Sequence, residues 1–250
     1  MRKKAIVVAV CLVLVGFLAV NGTLAQELGN IFKTIVDAVS GAAPTSNETL
    51  LKVELVNQDR YGNTLTNINL SPVYCADGYN WVRKQTNVGG QVYPLWDAAE
   101  VQGAQDKFVR VQNAATGVDA KDACFRVAFA VDARIFNNDK LMLNFNDAER
   151  NFVWSDWRGI TIDGRAYQMI IATYQQFLEP GEFSPPALLQ VALSRNVSSA
   201  DLANLDQNFL RTMVMAVDAD TLTPEGGPRP SAIDTLNTTL PIDEITFNPF

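Results

Sequence analysis

From about Leu50 to Val217 the apolar residues recur at every second position, in short runs separated by turn residues. Side chains of a strand alternate between its two faces, so this rhythm commits most of the chain to β-sheet with at least one buried face. Leu51, Val53 and Leu55 alternate with Lys52 and Glu54, and Ile68 and Leu70 with Asn67 and Asn69. Val109 and Val111 alternate with Phe108, Arg110 and Gln112, while Phe125, Val127, Phe129 and Val131 alternate with Arg126, Ala128, Ala130 and Asp132. Leu141, Leu143 and Phe145 follow, then Leu189, Val191 and Leu193, and last the nearly all-apolar run Leu210 to Val217, expected at a sheet centre or in a sandwich core. Turn signals sit between the runs: Asn57 to Asn63, the Ala114 to Lys121 loop with Gly117, Asn137-Asn138-Asp139, the hairpin pair Asp163-Gly164, and Pro180-Gly181, which suits the centre of a type II turn. Residues 76–104, with Gly89-Gly90, read as irregular. Many short strands without βαβ alternation predict an all-β fold, an antiparallel β-sandwich of jelly-roll type.

The first residues follow a different rule. Arg2, Lys3 and Lys4 precede an apolar run from Ala5 to Val20, and Thr23-Leu24-Ala25 offers small residues before Gln26. That is the pattern of a removable signal peptide over residues 1–25, and the run is short for a stable membrane span. The chain is expected to meet a membrane only through that peptide, before its cleavage. Leu28, Ile31, Phe32, Ile35, Val36 and Val39 then recur at helical spacing, so residues 26–48 read as a helical arm and linker ending at Gly41 and Pro44. Residues 49–222 form the β domain, with Ser198 or Ser199 placed to cap a short helix through Leu205. Residues 223–250, rich in Pro, Gly and Thr, read as an extended tail.

Charge and cysteine content narrow the function classes. The chain has 20 Lys+Arg and 27 Asp+Glu, and removing the three N-terminal bases leaves a product of net charge −10. An acidic surface does not suit nucleic acid, whose phosphates need a basic footprint. Cys75 and Cys124 remain after cleavage; in an exported chain the pair predicts a disulfide, worth roughly 4 kcal/mol by loop closure, with two buried thiols as the alternative.

Three blocks, in order, resemble the TasA and camelysin family of exported β-sandwich proteins. Lys107-Phe-Val-Arg-Val-Gln-Asn113, Gly117, Asp119 and Phe125-Arg126-Val127 are similar to that family's strand, turn and Tyr-Val-Arg strand. Leu178-Glu-Pro-Gly-Glu182 with Pro186, Leu188, Leu189 and Val191 resembles its L-x-P-G-E turn and next strand. The polar segment Ser199 to Asn204, leading into Met213 to Asp220, resembles its short helix and last long strand. The resemblance spans roughly residues 50–220 and implies a jelly-roll subunit of extracellular fibres, such as a biofilm matrix, joined when an N-terminal segment of one copy completes the sheet of the next. Candidate residues for that arm are Leu28, Ile31, Phe32, Ile35, Leu51, Val53 and Leu55.

Catalytic chemistry finds little support. The chain has no histidine, which removes Ser-His-Asp and Cys-His catalysis and His-ligated zinc. Asp218 with Asp220, and Asp147 with Glu149, offer paired carboxylates to calcium, though solvated acidic edges are the plainer reading. Gly89-Gly90 lacks the following helix a phosphate cradle needs. Trp81, Trp96, Trp154 and Trp157 read as core or loop packing before a carbohydrate platform, and Asn47, Asn196 and Asn237 head glycosylation sequons. The expectation is a secreted structural protein without cofactor that self-associates; the alternatives are a pilin-like filament subunit that retains its N-terminal helix, and a camelysin-like exported protease.

Overall fold

The computed structural model describes residues 50–65, 83–96, 103–137, 140–147, 151–194, 197–198, 200–201 and 209–247. The expected signal peptide, the expected helical arm with Leu28, Ile31, Phe32 and Ile35, the Ile68–Leu70 run, Cys75 and most of the expected 199–205 helix lie outside them.

The described chain is mostly antiparallel sheet. One sheet has the order β1 (Val53–Gln58), β4 (Gln105–Asn113), β10 (Leu188–Leu193), β6 (Leu141–Phe145). A second has the order β11 (Leu210–Asp218), β5 (Ala123–Asp132), β9 (Arg165–Tyr174), β7 (Phe152–Trp154), with β8 (Arg158–Ile162) also paired to β9. The chain changes sheet between β4 and β5, β5 and β6, β6 and β7, β9 and β10, and β10 and β11, so neighbours in sequence face each other across the core. Val53, Val109, Val111, Leu188 and Val191 from the first sheet pack on Phe125, Val127, Phe129, Ile170, Ala172, Val214 and Ala216 from the second. Phe129, Phe145, Phe152, Trp154, Trp157 and Tyr174 line one side of this core in edge-on and tilted ring pairs, which aromatic quadrupoles favour.

The turns follow local chemistry. Asp163 (φ 51°) and Gly164 (φ 75°) close the β8–β9 hairpin in two residues. Gly181 takes φ 84°, and the Glu182 N–H donates to Glu179 O at 3.0 Å, closing the turn at Pro180-Gly181.

Four expectations need correction. Residues 83–96 are not irregular: β2 (Arg83–Val88) and β3 (Gln91–Trp96) form a hairpin. Gly89 and Gly90 at φ 60° and 89° supply the doubly positive turn that suits strand twist. The hairpin lies over the outer face of the first sheet, where Tyr93 and Leu95 pack on Phe108 and Leu189. Leu189 therefore does not share a face with Val191. A bulge between Leu188 and Gln190 turns Leu189 and Gln190 together toward the hairpin and returns Val191 to the core.

The segment after Thr221 is not extended throughout. α1 (Ala133–Phe136) follows β5, and a second helix, α2 (Ala232–Thr239), is capped by the Ser231 side chain, which accepts from Asp234 N–H at 3.1 Å. α2 and the residues after it lie on the outer face of the second sheet. Ala232 and Leu236 pack on Cys124, Val217 and Ala219, and Ile245 and Phe247 on Ala128, Ala130, Met169, Ile171, Met213 and Met215. Of the two places expected for β11, the sheet centre is wrong, since it stands at the end of its sheet, while Val214 and Ala216 do lie in the sandwich core. Its run from Met213 to Val217 is wholly apolar because the core covers one face and this C-terminal strap the other.

Candidate functional site

The groups singled out for chemistry are tied into structure. Asp220 accepts from Arg229 Nε at 2.8 Å and Asp122 from Arg229 Nη1 at 2.6 Å, while the guanidinium stacks on Phe177 at 4.8 Å. Asp218 accepts from the Asp220 N–H at 2.8 Å. This cluster clamps the start of the strap to the β5 and β11 ends. Asp147 pairs with Arg83 at 2.5 Å; Glu149 lies outside the described residues. Among the described residues no three His, Cys, Asp or Glu side chains are grouped to hold a metal. Trp96 is buried beneath the hairpin edge, its backbone N–H donating to Gln190 Oε1 at 2.7 Å, and Trp154 and Trp157 pack against the core. Trp81, Asn47 and Asn196 lie outside the described residues; the Asn237 side chain is engaged by Arg126.

Three ionisable groups are buried: Cys124, Arg126 and Lys107. Cys124 is a free thiol under α2, and burial pushes its pKa up to about 12, which suppresses the reactive thiolate. Its expected partner Cys75 lies outside the described residues. Arg126, fully buried, reaches from β5 into the strap and donates to Leu240 O, to Asn237 Oδ1 at 2.5 Å and to Thr173 Oγ1 at 3.1 Å; burial lowers its pKa to about 10. Lys107, 3% exposed, donates to Asn57 Oδ1 at 3.2 Å, and burial lowers its pKa to about 8.

What remains open is backbone at the sheet margins. β1 holds Val53 and Leu55 of the assembly candidates, and Leu51 packs against the same core just before it. All three sit in their own domain: β1 pairs antiparallel with β4, Val53 opposite Asn113 and Leu55 opposite Val111. Ala114 N–H donates to Lys52 O at 2.7 Å, which sets the alternation: backbone groups of Lys52, Glu54 and Val56 point to β4. Those of Val53, Leu55 and Asn57 point the other way. Asn57 O is taken by Leu65 N–H at 2.9 Å, where the chain doubles back. That return is built by Asp59, whose Oδ1 accepts from Tyr61 N–H at 2.8 Å and Asn63 N–H at 2.9 Å. Arg60 forks onto Asp106 at 2.5 and 2.7 Å, pinning the end of β1 to β4. Along Val53 to Val56, β4 is the only strand paired to β1 among the described residues.

The Arg60–Asp106 fork and the buried Lys107 escaped the sequence reading. Lys107 was within reach of it: two residues before Val109, it shares the inward face by simple alternation.

No family model, no curated protein and no solved structure matches this chain.

Proposed function

We propose that this chain is a secreted structural protein, a jelly-roll subunit of extracellular fibres or a cell-surface layer, whose copies join by exchanging the strand β1. Residues 1–25 direct export, and the segment from 26 onward carries β1 to a neighbour. One observation supports this most. The outer face of the first sheet is covered by the β2–β3 hairpin and that of the second by the C-terminal strap, leaving strand margins as the surface for pairing. β1 is a margin strand next to the N-terminal segment and, among the described residues, has one partner, β4, along its first half. A strand handed from each copy to the next is a head-to-tail contact, which extends into a filament unless it closes into a ring.

A disulfide lock tests this reading. Glu54 and Gln112 lie directly opposite in a hydrogen-bonded pair, about 5.5 Å between Cα atoms, a spacing a disulfide accepts. In the variant Glu54→Cys/Gln112→Cys, the oxidised protein is expected to remain single by size exclusion and electron microscopy, and the reduced protein to assemble. Equal assembly in both states removes β1 from the mechanism. Each single cysteine variant serves as control.

A further inference from the structure

We propose that Lys107 is a device that weakens the hold of β4 on its own β1, so that the strand can pass between copies; this rests on the strand-exchange reading above. The placement is unusual for a lysine. Val109 and Val111 on the same strand point into the core, and Lys107 shares their face. Its side chain is 3% exposed. Long charged side chains usually bury the stem and keep the ammonium in water. Here the ammonium is buried too, and its one hydrogen-bond partner among the described residues is the neutral Asn57 Oδ1, on β1, at 3.2 Å. The carboxylate next to it in sequence, Asp106, points to the opposite face, where Arg60 and Gln190 occupy it.

The consequence falls on one seam. Asn57 belongs to β1, so β1 is part of what shuts Lys107 away from water. Among the described residues no carboxylate pairs with Lys107, and a buried charge without a counter-charge raises the free energy of the closed state. Departure of β1 lets water reach the ammonium, which offsets part of the packing and hydrogen bonding lost by Val53 to Gln58. Within β1 Val53 alone is fully buried, with Leu55 half-buried on the core and the Arg60–Asp106 fork just beyond the strand as the other hold on β4. An apolar residue at 107 would make a tighter subunit that surrenders β1 less readily.

The test compares Lys107→Met with the native chain in two measurements on the full exported protein. Hydrogen exchange of the Glu54 and Val56 amides, which point to β4, reports β1 opening in single copies. Light scattering reports the assembly rate. Both are expected to slow tenfold or more in Lys107→Met. Lys107→Gln, which removes the charge and keeps a donor for Asn57, is expected to slow them in the same direction and covers the case in which the methionine misfolds. Unchanged or faster exchange at Glu54 and Val56 overturns the inference. Slower exchange with unchanged assembly also overturns it, and the Glu54→Cys/Gln112→Cys lock then separates the causes. If the lock still blocks assembly, strand exchange stands and Lys107 does not govern it; if the lock has no effect, the strand-exchange reading itself fails.

Discussion

Replacing Leu236 with alanine tests whether the C-terminal strap opens apart from the sandwich beneath it. Leu236 is fully buried and packs with Ala232 on Cys124, Val217 and Ala219. Truncating a buried leucine costs about 2–5 kcal/mol in lost transfer and residual cavity. If about 3 kcal/mol of that falls on strap docking, the opened strap becomes roughly a hundredfold more populated, since every 1.4 kcal/mol is tenfold. Cys124 supplies the readout. Its folded pKa of about 12 leaves almost no thiolate, so a thiol reagent attacks after opening, when the pKa returns to its ordinary value. In a Cys75→Ser background at pH 8, labelling of Cys124 is expected to accelerate about a hundredfold in Leu236→Ala. Global unfolding in urea, measured alongside, should change less than the labelling does. An unchanged labelling rate refutes the docking of α2 on Cys124. A labelling change equal to the loss of global stability shows that strap and sandwich open as one unit, which refutes the idea of a separable cover.

Other consequences are open to measurement. Burial lowers Lys107 from 10.5 to about 8, so its penalty is present in full below pH 8 and is relieved as pH rises from 8 to 10.5; Lys107→Met should be more stable than the native chain at pH 7 by up to about 3 kcal/mol, less the lost Asn57 hydrogen bond, and the gap should shrink toward pH 10 in urea titrations. Cys124 acts with the opposite sign: the unfolded thiol ionises near 9 while the folded one holds its proton to about 12, so native stability falls with pH in that window and Cys124→Ala should remove the fall. Gly181→Ala should cost about 1 kcal/mol in thermal or urea unfolding, because φ 84° strains any residue with a Cβ while nothing crowds the site.

The sequence pattern was legible where one rule acted at a time. β1, β4 and β5 alternate because one face meets the core, and Asp163-Gly164 and Pro180-Gly181 close turns that need those residue types. The hairpin was hidden because Arg83 to Val88 faces mostly solvent and its apolar side chains sit on the return strand, at Tyr93 and Leu95. α2 was masked by the Pro, Gly and Thr around it, though Ser231 with Asp234 and the i, i+4 pair Ala232–Leu236 are a capped amphipathic turn. Arg126 was placed on the outward face correctly and yet is fully buried, since its cover arrives from Asn237 and Leu240, more than a hundred positions away. Leu51, Val53 and Leu55 read from sequence as candidates for an arm given to a neighbour. All three are already in their own domain, which local periodicity cannot reveal because the same alternation serves a neighbour's sheet as well as its own.

The strap also sets an order of events during synthesis. Every strand of the sandwich is translated before Arg229, so a nascent chain has all its sheets in hand while Met169, Ile171, Met213 and Met215 still lack their lid. Such half-finished chains present a flat, greasy wall to one another in the crowded space around the ribosome. A premature stop codon after β11 would therefore yield not merely a shortened chain but a sticky one, and quality control would be its destination.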